Sequence, residues 1–172
     1  GTSAPGQGHR TTFAMLVSEL TGIPVERIDL IQSDTDLVRS GGGTGGSRSL
    51  QLGGSAVLQA TEAVVAKARA LAAHLLEADP GDIVVDRDAG TVGVAGVPAR
   101  ALTWGELASR AHEAPAGVVD HDDDTTGLAA QLDFAQANGT FPFGTHISVV
   151  EVDIDTGQVT MMRHVAVNDD GK

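Results

Sequence analysis

Phe13, Leu16, Val17 and Leu20 recur at i, i+3, i+4 and i+7 and place one apolar stripe on a helix predicted over residues 9–20. Gly22 stops this helix and Pro24 prevents its resumption. Residues 27–32, with Ile28, Leu30 and Ile31, read as a strand. Residues 33–49 read as a long loop entered by Asp34 and Asp36, of a length usually tied to function. An Ala-, Val- and Leu-rich pattern over residues 50–78 predicts the longest helix, with Ser49 as its N-cap and Asp79-Pro80-Gly81 as its stop. Residues 82–86 and 91–95 flank Asp88-Ala89-Gly90 and predict a β-hairpin. Thr103-Trp104-Gly105-Glu106 matches a capping box for a short helix that reaches Ala111. Residues 118–126 are acidic and polar and read as an exposed connection. Strands over residues 146–154 and 158–167, joined by Asp155-Thr156-Gly157, form a second predicted hairpin. The pattern as a whole is α+β, a mixed or antiparallel sheet packed with two main helices.

Composition narrows the chemistry. Apolar residues make up 41% of the 172, but aromatics only 3%, so Ala and Val must fill most of the interior. A net charge of −12 argues against nonspecific binding to nucleic acid or to an anionic membrane. The absence of cysteine excludes disulfides, cysteine-bound zinc and iron–sulfur ligation by this chain. No stretch reaches transmembrane length and no signal peptide is visible, so a cytoplasmic location without membrane insertion is expected. The chain opens on Gly1 rather than Met and stops at Asn168-Asp169-Asp170-Gly171-Lys172, just after a strand-like run; residues 1–172 are read as a piece of a larger protein.

Two glycine-rich segments stand where helices are predicted to begin: Pro5-Gly6-Gln7-Gly8-His9-Arg10-Thr11-Thr12, and Gly41-Gly42-Gly43-Thr44-Gly45-Gly46-Ser47-Arg48-Ser49. A helix start leaves N–H groups unpaired and carries partial positive charge, which suits phosphate. Glycine lets a backbone approach a ligand closely. The two segments read as halves of one anion cradle for a phosphate-bearing organic cofactor, with Arg48 as the local cation. The second is neither a P-loop, for it lacks Gly-Lys-Ser/Thr, nor a Rossmann fingerprint. The bland alternatives are a surface turn for the first and a flexible linker for the second. Asp120-His121-Asp122-Asp123-Asp124 lacks EF-hand spacing and reads as a solvated acidic run. Without a Gly-x-Ser-x-Gly elbow, hydrolase chemistry has no support.

The ordered motifs resemble a known family. Gly1-Thr2-Ser3 with Gly6-Gln7-Gly8-His9-Arg10-Thr11-Thr12-Phe13-Ala14 resembles the start of the cofactor-binding region in large subunits of molybdenum hydroxylases, the xanthine dehydrogenase and aldehyde oxidase family. The similarity is greatest to its carbon monoxide dehydrogenase large-chain-like branch. It continues through Gly22-Ile23-Pro24, Ser33-Asp34-Thr35-Asp36, Gly43-Thr44-Gly45-Gly46-Ser47-Arg48-Ser49 and Gly139-Thr140-Phe141-Pro142-Phe143-Gly144-Thr145-His146 to Asn168-Asp169-Asp170-Gly171.

The resemblance implies a molybdopterin-binding domain, with the cofactor in its cytosine dinucleotide form. Gln7, Gly8 and His9 would then bind the cofactor, Gln7 and Gly8 at its pterin and phosphate part. Thr44, Gly46, Ser47, Arg48 and Ser49 would hold the dinucleotide end, and Asp169 would add a pterin contact. Asp170 stands where the family often has cysteine. The implied reaction oxidises or hydroxylates a small substrate with water: carbon monoxide, an aldehyde or an N-heterocycle. The implied partners are the rest of the large subunit, where the catalytic glutamate and the metal-facing loop would lie, and iron–sulfur and FAD subunits. A noncatalytic binding module built on the same scaffold is the alternative.

Overall fold

The computed structural model describes residues 1–38, 40–119 and 126–169. They fall into two compact units, Gly1–Ala135 and Gln136–Lys172.

The first unit is built on helix α1 (His9–Thr21) and the long helix α2 (Ser55–Leu76). A three-stranded antiparallel sheet follows, ordered β1 (Ile83–Asp86), β2 (Thr91–Val94) and β3 (Leu102–Thr103). Ile83 pairs with Val94 and Asp86 with Thr91, the expected first hairpin. Helix α3 (Trp104–Ala111) closes the order. Its capping box forms in full: Thr103 Oγ1 accepts from the Glu106 N–H at 3.2 Å, and Glu106 Oε2 accepts from the Thr103 N–H at 2.8 Å. The bonds that the Glu106 carboxylate accepts from the Thr103 N–H first and from the Thr103 hydroxyl next, the latter at 2.8 Å, hold it below its ordinary range.

The core is made of small aliphatics, as the scarcity of aromatics requires. Ala68, Leu71, Ala72 and Leu76 of α2 pack on Ile83, Val92, Leu107 and Ala111. Three of the larger side chains there, Leu71, Ile83 and Leu107, are wholly buried. Helix α1 is docked by its C-terminal end. Gly22 ends it in the left-handed region at φ 69° and donates its N–H to Ser18 O at 2.8 Å. The indole N–H of Trp104 reaches Thr21 O at 2.8 Å.

Two local expectations are corrected here. Residues 27–32 do not form a strand; Val25–Arg27 is a single 3₁₀ turn, and the rest is extended without a ladder partner among the described residues. An extended run becomes a strand only where a neighbour completes its hydrogen bonds. Ser49 is not an N-cap: its backbone is already helical, its side chain caps nothing, and α2 is preceded by a π-helical turn, Leu50–Gly54. The acidic run at residues 120–124 lies outside the described residues, and Val119, at the head of the connection, is buried rather than exposed.

The second unit is one long antiparallel ribbon of β4 (Phe143–Val152) and β5 (Val159–Asp169), with a bulge between Val149 and Val150. The expected turn closes it. Asp153 Oδ1 accepts from the N–H groups of Thr156 at 2.8 Å and Asp155 at 2.9 Å, and Gly157 supplies the left-handed residue at φ 72°. The bonds from Thr156 first, then from Asp155, lower the pKa of Asp153. A depressed carboxylate stabilises the fold above its unfolded pKa and loses that effect as pH falls through its folded value. The turn should therefore open on acidification below the ordinary aspartate range. The amide resonances of Asp155 and Thr156, followed by NMR titration, should move together at the Asp153 midpoint, and Asp153→Asn should remove that midpoint.

Candidate functional site

The cradle is assembled at the start of both helices. Gly6 and Gly8 hold φ 127° and 79°, conformations that a side chain rarely adopts, and together they turn the chain into α1. Gly8 is the N-cap residue, with no side-chain cap, and its carbonyl accepts from Thr12 at 3.0 Å. The N–H groups of His9, Arg10 and Thr11 precede the first intrahelical bond and point out of the helix start. Gln7 is exposed beside them. The ring of His9 is turned inward: it is 6% exposed, stacks on Phe13 at 5.1 Å and lies 3.5 Å from Thr2 Oγ1.

The glycine-rich loop is folded back against the N-terminal segment. Ser3 and Ser33 share a hydrogen bond at 2.7 Å, and the Ala4 N–H donates to Gln32 Oε1 at 3.3 Å. A Cβ on Gly41 would overlap the backbone of Gly1, so only glycine permits that approach. Thr44 Oγ1 and Ser49 Oγ lie 3.0 Å apart and tie the loop to the start of the π turn. Ser47 holds φ 53° and Gly46 φ 64°, a sharp left-handed step just before Arg48. Gly53 lets the π turn press on α1; a Cβ there would stand 3.2 Å from both the Phe13 ring and Thr2 Cγ2.

These contacts enclose a cavity of about 490 Å³. Gly41, Gly42, Gly43 and Gly45 line it together with Arg48 and Ser49 on one side. Thr2, Phe13 and Gly53 form its base, Leu30, Ile31 and Gln32 another wall, and Leu132, Asp133 and Phe134 a third. The last wall runs on from Ala129, whose carbonyl accepts from Lys67 Nζ of α2 at 2.8 Å. A Cβ on Gly42, Gly43 or Gly45 would meet no protein atom within 4 Å, so their hydrogens border open space. Arg48 is exposed, its Nε only 3.5 Å from Gly45 O, and among the described residues no carboxylate forms an ion pair with it. In a chain of net charge −12 this places a cation without an ion pair among the described residues beside glycine N–H groups and hydroxyls, a donor set that suits a phosphate ester.

The candidate residues are thus brought together in part. Arg48 and Ser49 line the cavity, with Thr44, Gly46 and Ser47 behind them in the same loop. Gln7 and Gly8 stand at the start of α1 and are not among the cavity's walls. Asp169 belongs to the second unit, at the end of β5. The walls at residues 30–32 and 132–134 were not anticipated; the exposed apolar side chains of Ile31 and Leu132 are their only local signal. Among the described residues no cluster of His, Cys, Asp or Glu could hold a metal ion, and no helix is long and apolar enough to cross a membrane.

A family model for the molybdopterin cofactor-binding domain matches residues 1–172. The chain belongs to that family. The carbon monoxide dehydrogenase large chain of Afipia carboxidovorans is 36% identical over 171 residues, covering 99% of this chain and 20% of that one. Subunit gamma of the 6-hydroxypseudooxynicotine dehydrogenase complex of Paenarthrobacter nicotinovorans is 36% identical over 172 residues, covering 100% of this chain and 21% of that one. The crystal structure of a Cu,Mo-CO dehydrogenase in its carbon monoxide reduced state superposes with a TM-score of 0.82 at 35% identity, over 98% of this chain and 20% of that one. Quinoline 2-oxidoreductase from Pseudomonas putida 86 gives 0.81 at 29% identity, over 99% of this chain and 21% of that one. The chain therefore spans about a fifth of the length of the relatives it matches, and its α+β architecture is that of the molybdopterin-binding domain of these enzymes.

Proposed function

We propose that this chain is the part of a molybdenum-dependent oxidoreductase large subunit that holds the dinucleotide end of a molybdopterin cytosine dinucleotide cofactor. The observation that supports the reading is the glycine-lined cavity with Arg48 in its lining and in no ion pair among the described residues. Arg48 would pair with a phosphate, and the hydroxyls of Ser47, Ser49 and Thr44 with the loop N–H groups would supply further donors. Leu30, Ile31 and Phe134 in the lining offer apolar surface on which a nucleobase could lie. Gln7, with an amide that both donates and accepts, Gly8 and the backbone of His9 would face the pterin, and Asp169 would meet it from the end of β5. When bound, the molybdenum centre supplies two-electron oxidation of a small substrate with water. The residues of this chain place that group and set the charge around it.

The whole protein is read as a cytoplasmic enzyme of several subunits, in which iron–sulfur and FAD partners carry electrons away. Its substrate is carbon monoxide, an aldehyde or an N-heterocycle. The names of the relatives, which include a carbon monoxide dehydrogenase and a nicotine 6-hydroxylase, bear on the first and last of these.

The test is metal and pterin analysis of the full-length subunit purified with its neighbours. One molybdenum per large subunit, with cytosine nucleotide released on acid hydrolysis, is the expected result. A folded complex with neither molybdenum nor pterin would instead mark a noncatalytic scaffold.

A further inference from the structure

The glycine-lined cavity of the first unit carries two opposite charges that do not meet. Arg48 and Asp133 both line it, yet among the described residues neither forms an ion pair. Asp133 is exposed, stands in its wall between the apolar Leu132 and Phe134, and is the one acidic side chain in the lining among the described residues. That wall is tied down within the first unit: Leu128 packs on the core, and Lys67 Nζ donates to the Ala129 carbonyl at 2.8 Å. Gln32 lines the same cavity. Its Oε1 accepts from the Ala4 N–H at 3.3 Å, which leaves Nε2 as the donor it offers elsewhere. The loop side thus supplies a cation with hydroxyls and glycine N–H groups. The remaining walls supply a carboxylate, an amide donor and apolar surface.

A phosphate is repelled by Asp133, so the carboxylate suits the other end of a nucleotide. A carboxylate accepts hydrogen bonds and cannot donate them, so the group it meets must be a donor. Cytosine presents a donor at its exocyclic N4 amine and acceptors at N3 and O2. Uracil presents an acceptor, O4, where cytosine has the amine. We infer that Asp133 and Gln32 make this cavity selective for cytosine. Asp133 accepts from the N4 amine, Gln32 Nε2 donates to N3 or O2, and the apolar lining carries the face of the base. Uracil would set O4 against the carboxylate, two acceptors with no proton between them. The inference rests on the reading above that the cavity holds the nucleotide end of the cofactor.

The experiment titrates the cofactor-free complex of the full-length subunit with cytidine, uridine and guanosine diphosphates by calorimetry, with thermal unfolding to show that each variant is folded. The quantity read is the ratio of cytidine to uridine diphosphate affinity, from which the contribution of the shared phosphates cancels. The parent should favour cytidine diphosphate about 10- to 100-fold, the span of one hydrogen bond to a charged group. Asp133→Asn should bring the ratio towards unity, because a carboxamide can accept from the cytosine amine or donate to uracil O4. Gln32→Glu keeps an acceptor for the Ala4 N–H but removes the donor, and should also lower the ratio. A parent that binds the cytidine and uridine diphosphates alike overturns this inference alone and needs no variant to do so. A folded variant of either kind with the parental ratio overturns it too. Guanosine diphosphate bound more tightly than cytidine diphosphate would mark a guanine site, since guanine also offers an amine, and overturns the cytosine reading in both proposals. A parent that binds none of the three overturns the proposed function and this inference with it.

Discussion

Arg48→Ala in the full-length subunit should weaken binding of the nucleotide end of the cofactor about 10- to 100-fold, the loss expected for one charge-assisted hydrogen bond of about 1.5–3 kcal/mol. The size of the effect follows from what surrounds Arg48. The chain carries −12 overall, so the distant field repels a phosphate rather than attracting it. Among the described residues no carboxylate forms an ion pair with the guanidinium, and the one acidic side chain in the cavity lining is Asp133. Gly43 and Gly45 beside it offer N–H groups but no charge. Arg48→Lys should recover only part of the loss, because a compact ammonium cannot reproduce a two-pronged contact. Titrating the cofactor-free complex with cytidine diphosphate by calorimetry would measure both variants, and the Arg48→Ala protein should also lose most of the salt dependence. Equal affinity for parent and Arg48→Ala would remove Arg48 from the site.

Gly22→Ala should destabilise the first unit by about 2–4 kcal/mol through left-handed strain and overpacking together. Gly22 sits at φ 69°, where a Cβ is strained before any neighbour is considered. A Cβ there would also overlap the carbonyl oxygen of Arg87 and come within 2.7 Å of Arg87 Cα. That neighbour cannot yield easily. The β1–β2 turn is braced by Asp86 Oδ1, which accepts from the N–H groups of Asp88 at 3.1 Å and Ala89 at 3.0 Å. The contact is reciprocal, since a Cβ on Gly90 would stand 3.0 Å from Gly22 O. The end of α1 would have to lift from the sheet and from the Trp104 indole, and the tilt would be felt at the other end of the helix, where Gly8 and Gln7 stand. Urea unfolding should show a lower midpoint at unchanged slope. A shift within error would mean that the turn yields where the structure holds it.

What was legible in advance was local. The stripe of Phe13, Leu16, Val17 and Leu20, the Thr103–Glu106 box and the turn at Asp155-Thr156-Gly157 each name their own structure, because the residues that decide it lie within a turn or two of one another. Residues 27–32 misled because their strand-like composition says nothing of whether a partner arrives; in place of a ladder they meet the N-terminal segment through Gln32 and Ala4. The π turn at Leu50–Gly54 was hidden for a similar reason, since it answers to Phe13 and Thr2 pressing on Gly53. In the candidate site, Arg48 and Ser49 stood out because glycine and hydroxyl residues clustered around a cation. The inward turn of His9 could have been read from its spacing to Phe13, four residues on, which puts both rings on one helical face. Near residues 132–134 only the apolar Leu132 hinted at a cavity wall, because a wall is defined by what it faces.

The same wall bears on the order of events during synthesis. The β4–β5 ribbon involves only neighbouring stretches of chain and can close within about 1–10 μs of being made. The cavity cannot: Gly41 leaves the ribosome long before Phe134, and at about 5–20 residues per second the delay is roughly 5–19 s. Through that interval the glycine-rich loop has a base and no far side. A ligand arriving early would find nothing to close on it, so loading belongs to the finished polypeptide and to whatever delivers the ligand afterwards.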